Sequence, residues 1–145
     1  KITRDALVDV RKSVSALRLP SKPLDRRIQL LCVQSSLTGI GFEFKLAGTP
    51  YQLGDAVELT LYRAAQEGIQ NVLKHSQASK ASVLLAYSDG GAAVEVRDNG
   101  RGVDRDLGSG FGLIGLQERV AAIGGSLSFG QAEQGGFILR IEVGK

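Results

Sequence analysis

The chain has 145 residues, 43% of them hydrophobic and 23% charged, which is enough length and apolar content for one sizeable core. No run approaches the roughly 18 apolar residues of a membrane span, and a single cysteine and a single histidine exclude an internal disulfide and a Cys/His metal site. The formal charge of +3 is local: residues 1–27 hold eight Lys/Arg against three Asp and the remainder ten against twelve, and without a Lys/Arg run or interleaved aromatics this argues against nucleic-acid binding.

The chain opens at Lys1 inside a segment that already reads as helix, so a piece of a longer protein is expected. Leu7, Val10, Val14 and Leu17 form a narrow seam of coiled-coil type, stopped by Pro20 and Pro23. Residues 1–19 read as the end of a longer helical element, 20–23 as a hinge and 24–145 as one compact domain. A second helix is expected over 24–37 through Leu24, Ile28, Leu31 and Ser35. Cys32 lies in the apolar run Leu30, Leu31, Val33 and reads as a small buried hydrophobe, at home in a reducing cytoplasm. A strand is expected over 39–46.

Asp55 and Glu58 have capping-box spacing at the start of a long helix whose core stripe is Val57, Leu61, Ala64, Ala65, Gly68, Ile69 and Val72, ending near His75. Strands over 80–88 and 92–98 follow, joined by the hairpin signal Asp89-Gly90-Gly91. A Gly-rich stretch without periodicity leads to a helix over 113–123 closed by Gly124-Gly125. A final hairpin has Phe137, Leu139, Ile141 and Val143 alternating with polar or outward residues. The expected fold class is α/β: a two-layer sandwich of a mixed, largely antiparallel sheet and a helical layer.

Three motifs carry chemistry. On the long helix, Glu67, Asn71, Lys74 and His75 are spaced i, i+4, i+7 and i+8 and share one stripe beside the core stripe. They combine a carboxylate, an amide oxygen suited to a hard cation and two phosphate donors, although a solvated helix edge has the same pattern. Next, period 2 along the strand puts Asp98 on the inward side with Val94 and Val96. An inward carboxylate needs donors, and the exocyclic amine of adenine is one where guanine would present a carbonyl; Asp98-Asn99-Gly100 is equally a turn sequence. Gly100 and Gly102 let the backbone approach a planar ligand. Last, Gly108-Ser109-Gly110-Phe111-Gly112-Leu113 runs into a helix, so backbone N–H groups and a helix N-terminus can meet a phosphate, or the loop simply serves as a helix entry.

In this order and on these elements, the motifs resemble the gyrase, chaperone and histidine-kinase ATPase superfamily, and within it the nitrate-sensor type of sensor histidine kinase. Residues 61–76 resemble its N box, 96–103 its first glycine box, and 108–120, with Gly115-Leu116-Gln117-Glu118-Arg119, its second. Residues 1–19 resemble the last turns of the dimerisation helices that precede such domains. The resemblance implies Mg²⁺ ligation by Asn71, orientation or deprotonation of the attacking group by Glu67, and Lys74 and His75 near the phosphates of ATP. It also implies adenine recognition by Asp98, a base pocket shaped by Gly100 and Gly102, and a lid with Gly110, Phe111, Gly112 and Leu113 against the nucleotide. Gly136-Phe137 stands where the family has Gly-Thr with the Thr near adenine, and no phosphoacceptor histidine is present. The implied activity is therefore transfer of the γ-phosphoryl of Mg-ATP to a histidine upstream, with a response regulator as the next acceptor and a homodimeric intact protein. A serine kinase of anti-sigma type and a non-catalytic nucleotide-binding module are the alternatives.

Overall fold

The computed structural model describes residues 22–75, 78–100, 111–131 and 135–144; the side chains of His75, Phe111 and Gly112 lie outside the description. The expected helical remnant 1–19 and most of the hinge also lie outside it.

The chain forms α1 (Leu24–Ser36), β1 (Gly41–Ala47), α2 (Asp55–His75), β2 (Lys80–Ser88), β3 (Gly91–Asp98), α3 (Phe111–Ala122), β4 (Ser126–Gln131) and β5 (Phe137–Gly144). The strands make one five-stranded sheet in the order β1-β2-β3-β5-β4, parallel between β1 and β2 and antiparallel elsewhere. Helices α1, α2 and α3 pack along one face, each on strands and on its neighbouring helix. This is the expected two-layer sandwich.

Alternation settles which strand residues meet the helices. Ala81, Val83, Leu85 and Tyr87 of β2, Val94 and Val96 of β3, and Phe137, Leu139, Ile141 and Val143 of β5 are buried beneath α1 to α3. The opposite face carries charge instead, where Arg140 bridges Glu95 at 3.0 Å and Glu142 at 2.6 Å. From α2, Leu61, Ala64, Ala65, Ile69 and Val72 complete the core. Gly68 sets the spacing: a Cβ there would stand 2.6 Å from Cγ2 of Val96, so the helix lies closer to β3 than any other residue would permit.

Several boundaries differ from expectation for local reasons. The first strand starts at Gly41, because Thr38 and Gly39 are used in turn hydrogen bonds that tighten the end of α1, and Gly39 has φ +108°. Asp55 lies inside α2 and does not cap it: Gly54 O accepts the first helical bond from Glu58 N–H, and the Glu58 carboxylate accepts from Leu53 N–H at 3.3 Å. Glu58 thus holds the residue before the cap, Leu53, and the reciprocal N-cap/N3 pairing of a capping box does not form. In the β2–β3 hairpin only Asp89 and Gly90 form the loop, since Gly91 already pairs with Ser88. Helix α3 starts two residues early, at Phe111, and ends at Ala122 in a Schellman motif: Gly125 N–H donates to Val120 O, Gly124 N–H to Ala121 O, and Gly124 has φ +75°.

Candidate functional site

Asp98 ends β3 on the helix-facing side, as period 2 requires, and is a charged residue only 4% exposed. Burial of a carboxylate is costly without donors. Here its Oδ1 accepts Gly100 N–H at 2.8 Å and Phe137 N–H at 3.2 Å, while Oδ2 is buried as well. Two backbone donors thus orient the carboxylate at the end of the strand. Phe137 acts here through its main chain, and its ring fills the core 6.2 Å from that of Phe129. A Thr at this position would present the same N–H.

Helix α2 delivers the second group. Its early residue Glu58 and Tyr87, the partner of Ala92 at the start of β3, border one cavity, and Gly68 lies on Val96 further along. Helix and strand therefore run in the same direction. One turn past Gly68, about 5 Å, comes Asn71; two residues past Val96, about 7 Å, comes Asp98. Both reach the same end of the helix–sheet layer. Asn71 is 6% exposed and its Nδ2 is buried with no hydrogen-bond partner.

The main chain between α2 and β2 is tied to this end by Asn99. Its Oδ1 accepts Ser79 N–H at 3.0 Å and Lys80 N–H at 3.1 Å, and its Nδ2 donates to Ser79 Oγ at 3.1 Å. Asn99 is a turn residue by sequence, and its place directly after a strand, beside an inward acid, is the one local sign of this further role.

The other expected residues divide. Glu67 is half-buried and borders a groove of ≈ 420 Å³ between α2 and α3, facing Leu116 and Arg119 of α3 with Arg63 beside it. Lys74 is exposed on the last turn of α2, Gly100 follows Asp98, and Leu113 is buried under α3. Phe111 and Gly112 occupy the first turn of α3, and His75 the last residue of α2. Gly102 and Gly110 lie outside the described residues. Asp98 borders a hollow with Lys80, Asn99 and Gly135, which Glu67 and Asn71 do not line. Nor do three His, Cys, Asp or Glu side chains among the described residues cluster as a metal cage.

The arrangement offers a fixed buried acceptor, a buried amide and a nearby carboxylate along a groove. Comparison with known proteins bears on its use. Residues 56–145 match the family described as histidine kinase-, DNA gyrase B- and HSP90-like ATPase. The sensor histidine kinase LnrJ of Bacillus subtilis is 30% identical over 143 residues, covering 97% of this chain and 36% of that protein. The sensor histidine kinase MctS of Rhizobium johnstonii is 34% identical over 139 residues, covering 90% and 30%. The chain thus spans about a third of the length of these relatives. Among solved structures, the mycobacterial sensor histidine kinase MprB is 27% identical with a TM-score of 0.59, covering 83% of this chain and 91% of that one. The catalytic domain of the histidine kinase ThkA, at 17% identity, shares the fold with a TM-score of 0.68, covering 84% and 90%.

Proposed function

This chain belongs to the histidine kinase-, DNA gyrase B- and HSP90-like ATPase family, and from that premise we propose that it is the Mg-ATP-binding catalytic domain of a sensor histidine kinase of the nitrate-sensor type. Its task in the intact protein is to deliver the γ-phosphoryl group to a histidine on an upstream dimerisation domain, from which a response regulator takes it. The observation that carries the reading is Asp98, a buried acid held by two backbone N–H groups at the end of a strand. Such an acid accepts the exocyclic amine of adenine and repels the carbonyl of guanine.

Asn71 fits a cation that arrives with its ligand. An amide buried to 6% exposure, with its nitrogen unbonded, can turn to present oxygen, and Mg²⁺ characteristically takes one or two protein oxygens together with substrate phosphates and water. When bound, the ion supplies charge neutralisation at the phosphates. Glu67, one turn before Asn71 on the groove, is assigned to orient or deprotonate the attacking imidazole, and exposed Lys74 with His75 to meet the phosphates. Gly100 and Gly102 shape the base pocket. Gly110, Phe111, Gly112 and Leu113 belong to the lid and to the N-terminal turn of α3, where N–H groups and the helix dipole favour an anion. Phosphoryl transfer depends mainly on positioning and charge, which is what this set provides.

Calorimetric titration of ATP against GTP, with and without Mg²⁺, tests the reading: ATP is expected to bind, GTP not, and Mg²⁺ to tighten the complex. Equal affinity for the two purines would sink the assignment of Asp98. ATP-dependent phosphohistidine on a chain extended through the upstream helices tests transfer itself.

A further inference from the structure

The outward face of α1 carries an apolar stripe. Leu30, Val33 and Leu37 follow one another at i, i+3 and i+7, on the side of the helix opposite the buried Leu24, Ile28 and Cys32. They are 43%, 58% and 86% exposed, and the last two are the most exposed large hydrophobic side chains among the described residues. Leu37 is the C-cap and keeps helical φ and ψ, so it continues the stripe. Single apolar residues on a surface are ordinary, whereas a run of them along one helix face marks a contact surface. A groove of ≈ 510 Å³ follows this face from Lys22 and Pro23 past Arg26 to Leu30 and Val33. It begins where the segment ahead of α1 ends.

That segment has a matching face in its sequence. Leu7, Val10, Val14 and Leu17 repeat at steps of three and four, as the stripe does. Two helices joined by a loop of about two to five residues pack side by side and antiparallel, and only residues 20–23 connect the segment to α1. Folding about that connection brings the two faces into step. Val14 and Leu30 each lie eight residues from Lys22, Leu7 and Leu37 each fifteen, and Val10 and Val33 twelve and eleven. Three layers of apolar pairs result, over roughly two helical turns. A segment this short is marginal as an isolated helix in water, so its seam needs a partner as much as the stripe needs cover.

We propose that the outward face of α1 is a docking surface, and that its occupant is the chain's own residues 7–17, folded back antiparallel through the turn at 20–23. No residue of α1 takes part in the site around Asp98, so the proposal is independent of the nucleotide reading. While docked, the seam is covered and cannot pair with the seam of a second copy. The surface thus competes with self-association through this segment.

Cross-linking in the whole chain tests the register. A disulfide forms only where two Cβ atoms come within about 4 Å. Val14→Cys/Leu30→Cys, treated with oxidised glutathione, is expected to close within one chain on the order of tenfold faster than Lys12→Cys/Leu30→Cys, because residue 12 lies on the far side of the segment from the seam. Cys32, at 2% exposure, stays out of reach of the oxidant. Hydrogen exchange gives a second reading without cysteines. Amides of residues 7–17 should be protected at any protein concentration, and Leu30→Glu/Val33→Glu should remove that protection on the order of tenfold. Both changes fall on exposed positions, so circular dichroism should show the fold intact. Equal closure rates in the two cysteine pairs, disulfides between chains in place of those within one, or protection unchanged by the two glutamates would each overturn the proposal; the second outcome would make another copy the occupant.

Discussion

The α-carbon of Gly136 lies against the backbone carbonyl of Asp98, so that a Cβ built on Gly136 would stand 2.0 Å from that oxygen. Gly136 also has φ +82°, a conformation that L side chains rarely adopt. The residue that lets β5 close on the acid therefore has two reasons to be glycine. Gly136→Ala is expected to destabilise the protein by about 2 kcal/mol or more and to shift the Phe137 N–H away from Asp98. Urea denaturation measures the first effect and the amide chemical shift of Phe137 the second; an unchanged midpoint would show that the backbone yields there.

Asp98→Asn keeps an oxygen for Gly100 and Phe137 but places an amide donor where the adenine amine would donate. The fold is expected to persist by circular dichroism. ATP affinity should fall about 10- to 100-fold, the equivalent of one hydrogen bond to a charged group at roughly 1.5–3 kcal/mol. Wild-type affinity by calorimetry would remove the adenine role.

Asn71→Ala deletes a buried amide whose nitrogen has no partner, so its effect on stability should stay within about 1 kcal/mol. Mg²⁺ should no longer tighten ATP binding. A variant whose ATP titration still responds to Mg²⁺ would place the cation elsewhere.

In an unobstructed helix Gly→Ala stabilises by about 1 kcal/mol. At Gly68 the sign should reverse, because the new methyl meets the side chain of Val96 at 2.6 Å, and overpacking costs roughly 1–3 kcal/mol. The double variant Gly68→Ala/Val96→Ala should be more stable than the sum of the single losses predicts. Strict additivity in denaturant would mean that α2 and β3 do not constrain each other through this contact.

Cys32 is 2% exposed and burial pushes its thiol from 9.0 up to about 11. At pH 8 only about one thiol in a thousand is then thiolate, and reaction with a disulfide reagent should await unfolding. The linkage has a definite sign. Between pH 9 and 11 the unfolded chain loses this proton before the folded one does, so the contribution is intact below pH 9 and fades as pH rises towards 11. Rapid labelling of native protein at pH 8 would contradict this.

Much of the fold was legible because its signals are local. Period 2 through Val94, Val96 and Asp98, the stripe from Leu61 to Val72 and the Asp89-Gly90 turn each need only a few neighbouring residues to be read. The two donors to Asp98 divide on the same line: Gly100 is two residues away and belongs to the motif, whereas Phe137 is 39 residues away and meets the acid only through strand pairing. Asn99 reaches back 20 residues to Ser79. The register of the α2 cap turned on which of Gly54 and Asp55 leaves the helix, and it is Gly54, at φ +100° with its carbonyl accepting from Glu58. The cavity under Tyr87 is assembled from three separate stretches, none of which has a pattern of its own.

The pairing of β3 with β5 bears on how the protein is made. Asp98 sits on a central strand whose second neighbour is synthesised some forty residues later, and long-range pairings of this kind form slowly. During translation the emerging chain can close the β2–β3 hairpin early, but the acid gains its second donor only once β5 has left the ribosome. On the adenine role proposed for Asp98, nucleotide affinity should therefore arrive late and abruptly during synthesis.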